Sequence, residues 1–447
     1  LDLIALIPAL LLGAMLYLNT LPGEFVYDDQ RQIVRNTLIQ DDSQIWHALT
    51  SDVWAFKGGA GPVSNYWRPS FVLWMIVNYR LFGLDPYGWH VTNVLFHLLV
   101  IAMAFMLLRR LGLSQWVAGA IVLIFAVHPA HSESVAWIAG VPDIILSLAL
   151  LVSMWFVKSL SENRSWKNWI LAIGFYVIAL GAKEVALLYP LIVVAMLWRP
   201  AAEPGEGGAS VRESLRTAAP FIGCGILYLL IRQSILGQFA QTPEGSAGLM
   251  GTILTAPAVF VFYLRQIVFP LWIGPSYPLR AVTSATIGFG NFIVPLLISL
   301  VVVALMIWIA KGSRTARIGL ALFALPLVPA MNIGAFFPEQ LVHDRYLYLP
   351  LLGFLVLFVP LIARAIARFK EGAQARDQWL IYAAAAIFCV PLGIQTFKYN
   401  FAWRTNLALW EWGVKSDPNS SYNFLQYGVE LHLAKRYDDA LIALNRS

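Results

Sequence analysis

Apolar residues in this chain come in long blocks, and polar and charged positions are confined mostly to the stretches between them. A block of ~17–25 residues is what a helix rising about 1.5 Å per residue needs to cross ~30 Å of hydrocarbon. Backbone polar groups must be satisfied within a bilayer, and no period-two alternation runs through the blocks, so they predict helices. The pattern places eleven spans, at 3–19, 88–108, 113–127, 143–160, 168–181, 185–198, 217–236, 290–310, 318–332, 346–368 and 378–397. The fold class expected is all-α and polytopic. The stretch 69–82 is also apolar, but Arg68, Pro69 and Arg80 suggest a helix lying at the interface, and 251–270 is ambiguous in the same way.

Composition points the same way. Of 447 residues, 59% are hydrophobic and 13% charged, with mean hydropathy +0.67. A soluble domain carries about 45–50% apolar and about 25% charged residues. Cys224 and Cys389 both sit inside apolar blocks, which argues against a disulfide framework or a cysteine metal site.

The net charge of +6 invites a nucleic-acid reading, but the cations form no single basic face. They fall in alternate loops: Arg109 and Arg110; Lys158, Arg164 and Lys167; Arg199, Arg212 and Arg216; Lys311, Arg314 and Arg317; Arg364, Arg368, Lys370 and Arg376. The positive-inside rule makes these loops cytoplasmic. The other loops hold Asp28, Asp29, Asp41, Asp42, Asp52, His128, His131, Glu133, Glu184, Glu339 and Asp344, and the C-terminus falls on their side. The first block has neither a basic flank nor a small-residue cleavage site, so it is expected to be a span and not a signal peptide.

Character changes after Trp403, which divides the chain into a membrane domain over 1–399 and a helical tail over 400–447. Phe424, Tyr427, Gly428, Leu431, Tyr437, Ala440 and Leu444 fall near the packing positions of a tetratricopeptide (TPR) helix pair, and Pro418 falls where a preceding repeat would end. One such unit buries little of its own face, so further repeats are expected after it.

The candidate chemistry lies on the acidic side. The first outer loop, 20–87, opens with Phe25-Val26-Tyr27-Asp28-Asp29. A carboxylate held at a membrane surface is costly to desolvate and can accept a hydroxyl proton. Paired aspartates are also a common helix-capping signal. The loop ends in Tyr66-Trp67-Arg68-Pro69-Ser70, where Arg68 is a phosphate ligand or, taken alone, an interfacial anchor. The run His128-Pro129-Ala130-His131-Ser132-Glu133, with Asp143 beyond it, holds more ionisable groups than a connector needs. Two imidazoles and a carboxylate would suit zinc, but no fourth ligand is evident, so no metal is assigned and a divalent cation stays open. Lys183-Glu184 is either self-neutralising or offers Lys183 to an anionic headgroup. His343-Asp344-Arg345-Tyr346 supplies Arg345 as a second phosphate-clamp candidate or, again, an interfacial anchor.

Together these pieces resemble the GT-C superfamily of membrane glycosyltransferases, and more closely the transmembrane and TPR-repeat-containing O-mannosyltransferases and their bacterial relatives. The motifs, in order, are Phe25 to Asp29, Tyr66 to Pro69, Gly88-Trp89-His90-Val91-Thr92-Asn93-Val94-Leu95-Phe96-His97, His128 to Ala136, Ala182-Lys183-Glu184 and Arg345-Tyr346-Leu347-Tyr348-Leu349-Pro350. The resemblance implies inverting transfer of a sugar, mannose in the family, from a polyprenyl-phosphate donor to a protein hydroxyl on the extracytoplasmic side. It assigns the base to Asp28 or Asp29; position nearer the membrane weakly favours Asp28. It assigns the donor phosphate to Lys183 and Arg345, with Arg68 third. The substrate pocket falls to His128, His131, Glu133, Asp143, Tyr66, His90, Glu184 and His343. No cofactor is implied, the partners are the lipid-linked donor and a protein acceptor recruited by the repeats, and the setting is a bacterial inner membrane with the site and C-terminus periplasmic. Two other classes compete. A transporter or lipid flippase would place charges at mid-span, where this chain has few, and a scaffold displaying repeats would leave the paired aspartates unexplained.

Overall fold

The structure is a computed structural model that describes residues 3–58, 64–198, 209–237, 245–369 and 379–447, with side chains throughout except at 366–369. Arg199, Lys370 and Arg376, and the side chain of Arg368, lie outside the described residues.

All eleven predicted blocks are helical. Eight helices among the described residues are long and apolar enough to cross a membrane: Pro86–Arg110, Ile138–Glu162, Val211–Leu236, Leu249–Val268, Phe289–Lys311, Arg314–Met331, Asp344–Ala365 and Trp379–Arg404. Gln115–Val127 and Pro129–Val135, bent by 55° to each other, make a ninth if read as one span. Three shorter apolar helices, Ile7–Thr20, Trp166–Ala182 and Glu184–Leu197, account for the remaining blocks. The chain is a multi-pass α-helical membrane protein.

The two ambiguous stretches separate on geometry. The helix Pro69–Phe82 has 14 residues, ~21 Å at the helical rise, too short to cross. Its exposed stripe of Leu73, Val77 and Leu81, four residues apart, is the face a helix at a membrane surface would turn to lipid. Leu249–Val268 is long enough to cross, yet both its ends meet the segment 333–345. A side chain added at Gly334 would strike the Ala247 carbonyl at 2.8 Å, and Gln266 Nε2 donates to Asp344 Oδ1 at 2.9 Å. Both ends of the helix thus lie against the segment that joins Arg314–Met331 to Asp344–Ala365.

The ends of the bundle differ as the loop charges predict. At one end Arg110 pairs with Glu162 at 2.5 Å, and Arg314 Nε donates to the Met196 carbonyl at 2.6 Å. At the other end lie Asp28, Asp29, Glu133, Lys183 and Arg345. Between them, helices such as Phe289–Lys311 expose Leu297, Leu300, Val301 and Trp308, the surface a bilayer covers.

The tail packs as a helix pair. Ser421–Leu433 and Tyr437–Leu444 share a small core of Phe424, Leu431, Ala440 and Ala443, with Tyr427 partly buried against it. Gly428 is pressed on Leu444, where a Cβ would come within 2.7 Å, but Tyr437 is 58% exposed. The main core runs on through Trp403, Leu409 and Trp410, past position 399, and the separate small core begins at Phe424.

Candidate active site

The first outer loop turns sharply at its paired aspartates. Tyr27 sits at φ 55°, a left-handed conformation that costs a non-glycine residue energy and persists only where its surroundings hold it. Here the Tyr27 N–H donates to Asn406 Oδ1 at 2.7 Å, and its ring packs on Trp137 and Trp410. The next two carboxylates then point to different places. Asp29 is fully buried: Oδ2 accepts the Val26 N–H at 3.1 Å and Oδ1 the Ala139 N–H at 2.8 Å. Neither aspartate caps the following short helix, Gln30–Val34, with its side chain.

Asp28 instead lines a cleft of about 110 Å³, with no hydrogen bond or ion pair to its carboxylate among the described residues. Burial pushes its pKa above the ordinary aspartate value, against the pull of Arg345, Arg31 and Lys57. The same walls carry Gln32, Tyr66, Arg68, Trp137, Asp143, Lys183, Arg345 and Tyr346, drawn from five separate parts of the sequence.

Each cation of the cleft is held by its own carboxylate. Arg345 Nη1 lies 2.5 Å from Glu133 Oε1, while the Arg345 N–H donates to Glu133 Oε2 at 3.0 Å. Lys183 Nζ reaches both oxygens of Asp143, at 2.6 and 2.8 Å, with both side chains almost fully buried. Arg68 pairs with Glu184 at 3.0 Å and stacks over Tyr66, 4.2 Å from the ring centroid. Lys183 and Glu184 therefore do not neutralise each other; each takes a different partner. These arrangements leave cationic surface facing one space, which suits a phosphate, since charge-assisted and forked guanidinium contacts are the strong ones.

The histidines behave differently. His90, His128 and His131 are fully buried and absent from the cleft walls. His128 Nε2 lies 3.0 Å from the Ile267 carbonyl, and the His131 ring packs between Phe125 and Tyr348. His343 stands behind Arg345, 3.4 Å from Glu133, where burial lowers its pKa. With Glu133 spent on Arg345, the zinc-compatible spacing of His128, His131 and Glu133 assembles no ligand set, and no group of three such ligands occurs among the described residues.

Some wall residues went unmarked in the sequence. Trp137 arrives on the turn after Glu133, which closes because residue 140 is glycine: a Cβ there would strike the Glu133 carbonyl at 2.4 Å. Its only sequence signal is an aromatic beside the His128 motif. Gln32 gave none.

No family model matches the chain. Protein O-mannosyl-transferase Tmtc1 of Drosophila melanogaster is 25% identical to it over 528 residues, spanning 99% of this chain and 61% of that protein. Mouse TMTC3, a protein O-mannosyl-transferase, is 24% identical over 96% of this chain and 49% of its own length. In sequence the chain is similar to the TMTC protein O-mannosyl-transferases. A shorter stretch, 37% of the chain, is 36% identical to tmtc2 of Xenopus laevis. The chain thus spans about half to three fifths of the TMTC proteins it matches end to end. Among solved structures, the Archaeoglobus fulgidus oligosaccharyltransferase tethered with an acceptor peptide superposes with a TM-score of 0.49 at 11% identity, covering 89% of this chain and 55% of that one. The match to Tmtc1 spans the stretch of sequence that contains the cleft residues.

Proposed function

We propose that this chain is the membrane-embedded catalytic part of a glycosyltransferase that moves a sugar from a polyprenyl-phosphate donor to a hydroxyl of a protein acceptor. The observation that carries the reading is the Asp28 carboxylate, which has no partner among the described residues and faces a cleft whose cations are each already held in place. The acceptor oxygen attacks the anomeric carbon and the bond from that carbon to the phosphate oxygen breaks. The acceptor proton passes to Asp28, and the polyprenyl phosphate leaves toward Arg345, Lys183 and Arg68. A raised pKa brings the base nearer to working pH, which favours proton transfer. Attack opposite the leaving phosphate inverts the anomeric carbon. Mannose follows from the names of the relatives. The charge of the loops supports an extracytoplasmic cleft, and the C-terminal helices beside Tyr27 support an acceptor recruited by repeats.

The test is transfer by detergent-purified protein from polyprenyl-phosphate-linked mannose to serine- and threonine-containing proteins. Product formation that requires the lipid-linked donor, and is not supported by a nucleotide sugar, is the expected result. Absence of transfer from every lipid-linked sugar tried would contradict the reading.

A further inference from the structure

A second cavity lies at the opposite end of the bundle from Asp28. It measures about 360 Å³ and runs between the end of Phe289–Lys311, the start of Arg314–Met331 and the far part of Asp344–Ala365. Its inner walls are apolar, with Trp308, Val356, Leu357 and Leu361 among them, and its polar rim carries Lys311 and Arg364. Among the described residues no acidic side chain lines it. Neither cation has an ion-pair partner among the described residues, whereas every cation of the cleft does.

Position identifies the occupant. Trp308 is 68% exposed on a helix that turns most of its surface outward, one turn before Lys311, an arrangement of aromatic and cation typical of a membrane boundary. The groove is thus open to hydrocarbon along its apolar length and to headgroups at its cationic end. A soluble anion would not use the apolar walls, and an uncharged lipid would not use the two cations.

We propose that this groove is a binding site for an anionic phospholipid of the basic-loop leaflet, with an acyl chain along Leu357 and Leu361 and the phosphate between Lys311 and Arg364. The site is independent of the cleft and of the reaction proposed for it.

Native mass spectrometry of the purified protein, titrated with phosphatidylglycerol and in parallel with phosphatidylcholine, tests it. Wild type should retain phosphatidylglycerol preferentially. The double variant Lys311→Gln/Arg364→Gln should bind it about thirty-fold more weakly, the factor that two cations near an anionic lipid carry. The charge-reversed Lys311→Glu/Arg364→Glu should lose the preference altogether. Thermal unfolding of each variant alongside wild type separates loss of the site from loss of the fold. Equal retention of both lipids by wild type, or an unchanged preference in folded variants, would overturn the proposal.

Discussion

The carboxylate of Asp29 holds the backbone N–H of Ala139 at 2.8 Å, tying the first outer loop to the turn that presents Trp137 and Gly140 to the cleft. With Val26 on its other oxygen, Asp29 is a structural clamp, and its neighbour Asp28 alone faces the open space. Replacing Asp29 by Ala strands two N–H groups, a loss of about 1–3 kcal/mol for each buried group left without a partner. Asp29→Ala is therefore expected to unfold at lower temperature in detergent, while Asp28→Asn unfolds as wild type does.

The pH dependence of transfer should expose the environment of Asp28. A general base works deprotonated, so activity is present above its pKa and falls as pH drops through it. Burial raises that pKa, which places the acid limb above the ordinary aspartate value of about 4. Arg31 opposes the shift, so Arg31→Gln should move the limb to higher pH still. A rate–pH profile in which the limb stays at or below 4, or moves down in Arg31→Gln, would count against Asp28 as the base.

Much of this was legible from sequence because membranes leave a strong signature. Block length predicted the helices, loop charge predicted which ends share a side, and the motifs brought Asp28, Tyr66, Arg68, Asp143, Lys183 and Arg345 to the list of candidates. What sequence left open was which way a side chain points. His128 and His131 sit at a break between two helices, and the break faces them into the packed core while aiming Glu133 at Arg345. Between Asp28 and Asp29 the sequence offered only nearness to the membrane, whereas the turn at the left-handed Tyr27 sends the two carboxylates to different places. The ion pairs, too, cross 40 to 212 residues of sequence, a distance over which spacing carries no information.

The Lys183–Asp143 pair makes a prediction that separates stability from function. Its side chains are 8% and 9% exposed, and removing one partner from such a pair leaves a buried charge, at a cost of about 3–5 kcal/mol. Asp143→Asn should therefore be strongly destabilised. The double variant Asp143→Leu/Lys183→Met replaces the pair by apolar groups and should recover stability in a thermal unfolding assay. It should not recover transfer, because it lacks the cation proposed to meet the departing phosphate.

Arg345 and Glu133 make a companion case. The guanidinium is aimed by Glu133, which accepts from both its side chain and its backbone. Arg345→Lys keeps the charge but loses the fork, so it is expected to lower transfer at least ten-fold, about 1.4 kcal/mol. Glu133→Gln should raise KM for the lipid-linked donor by freeing Arg345 to wander. Steady-state kinetics with the donor varied check both, and a Lys variant with wild-type kinetics would mean that simple charge is enough.

The role proposed for Asp28, base of a lipid-linked-sugar transferase, can be checked in one comparison. Transfer from polyprenyl-phosphate mannose to a protein acceptor is measured for wild type, Asp28→Asn and Asp29→Asn, each shown to be folded by thermal unfolding. The account predicts that Asp28→Asn loses at least two orders of magnitude of rate, the usual contribution of a positioned base, while folded Asp29→Asn keeps more. Full activity in Asp28→Asn would contradict it.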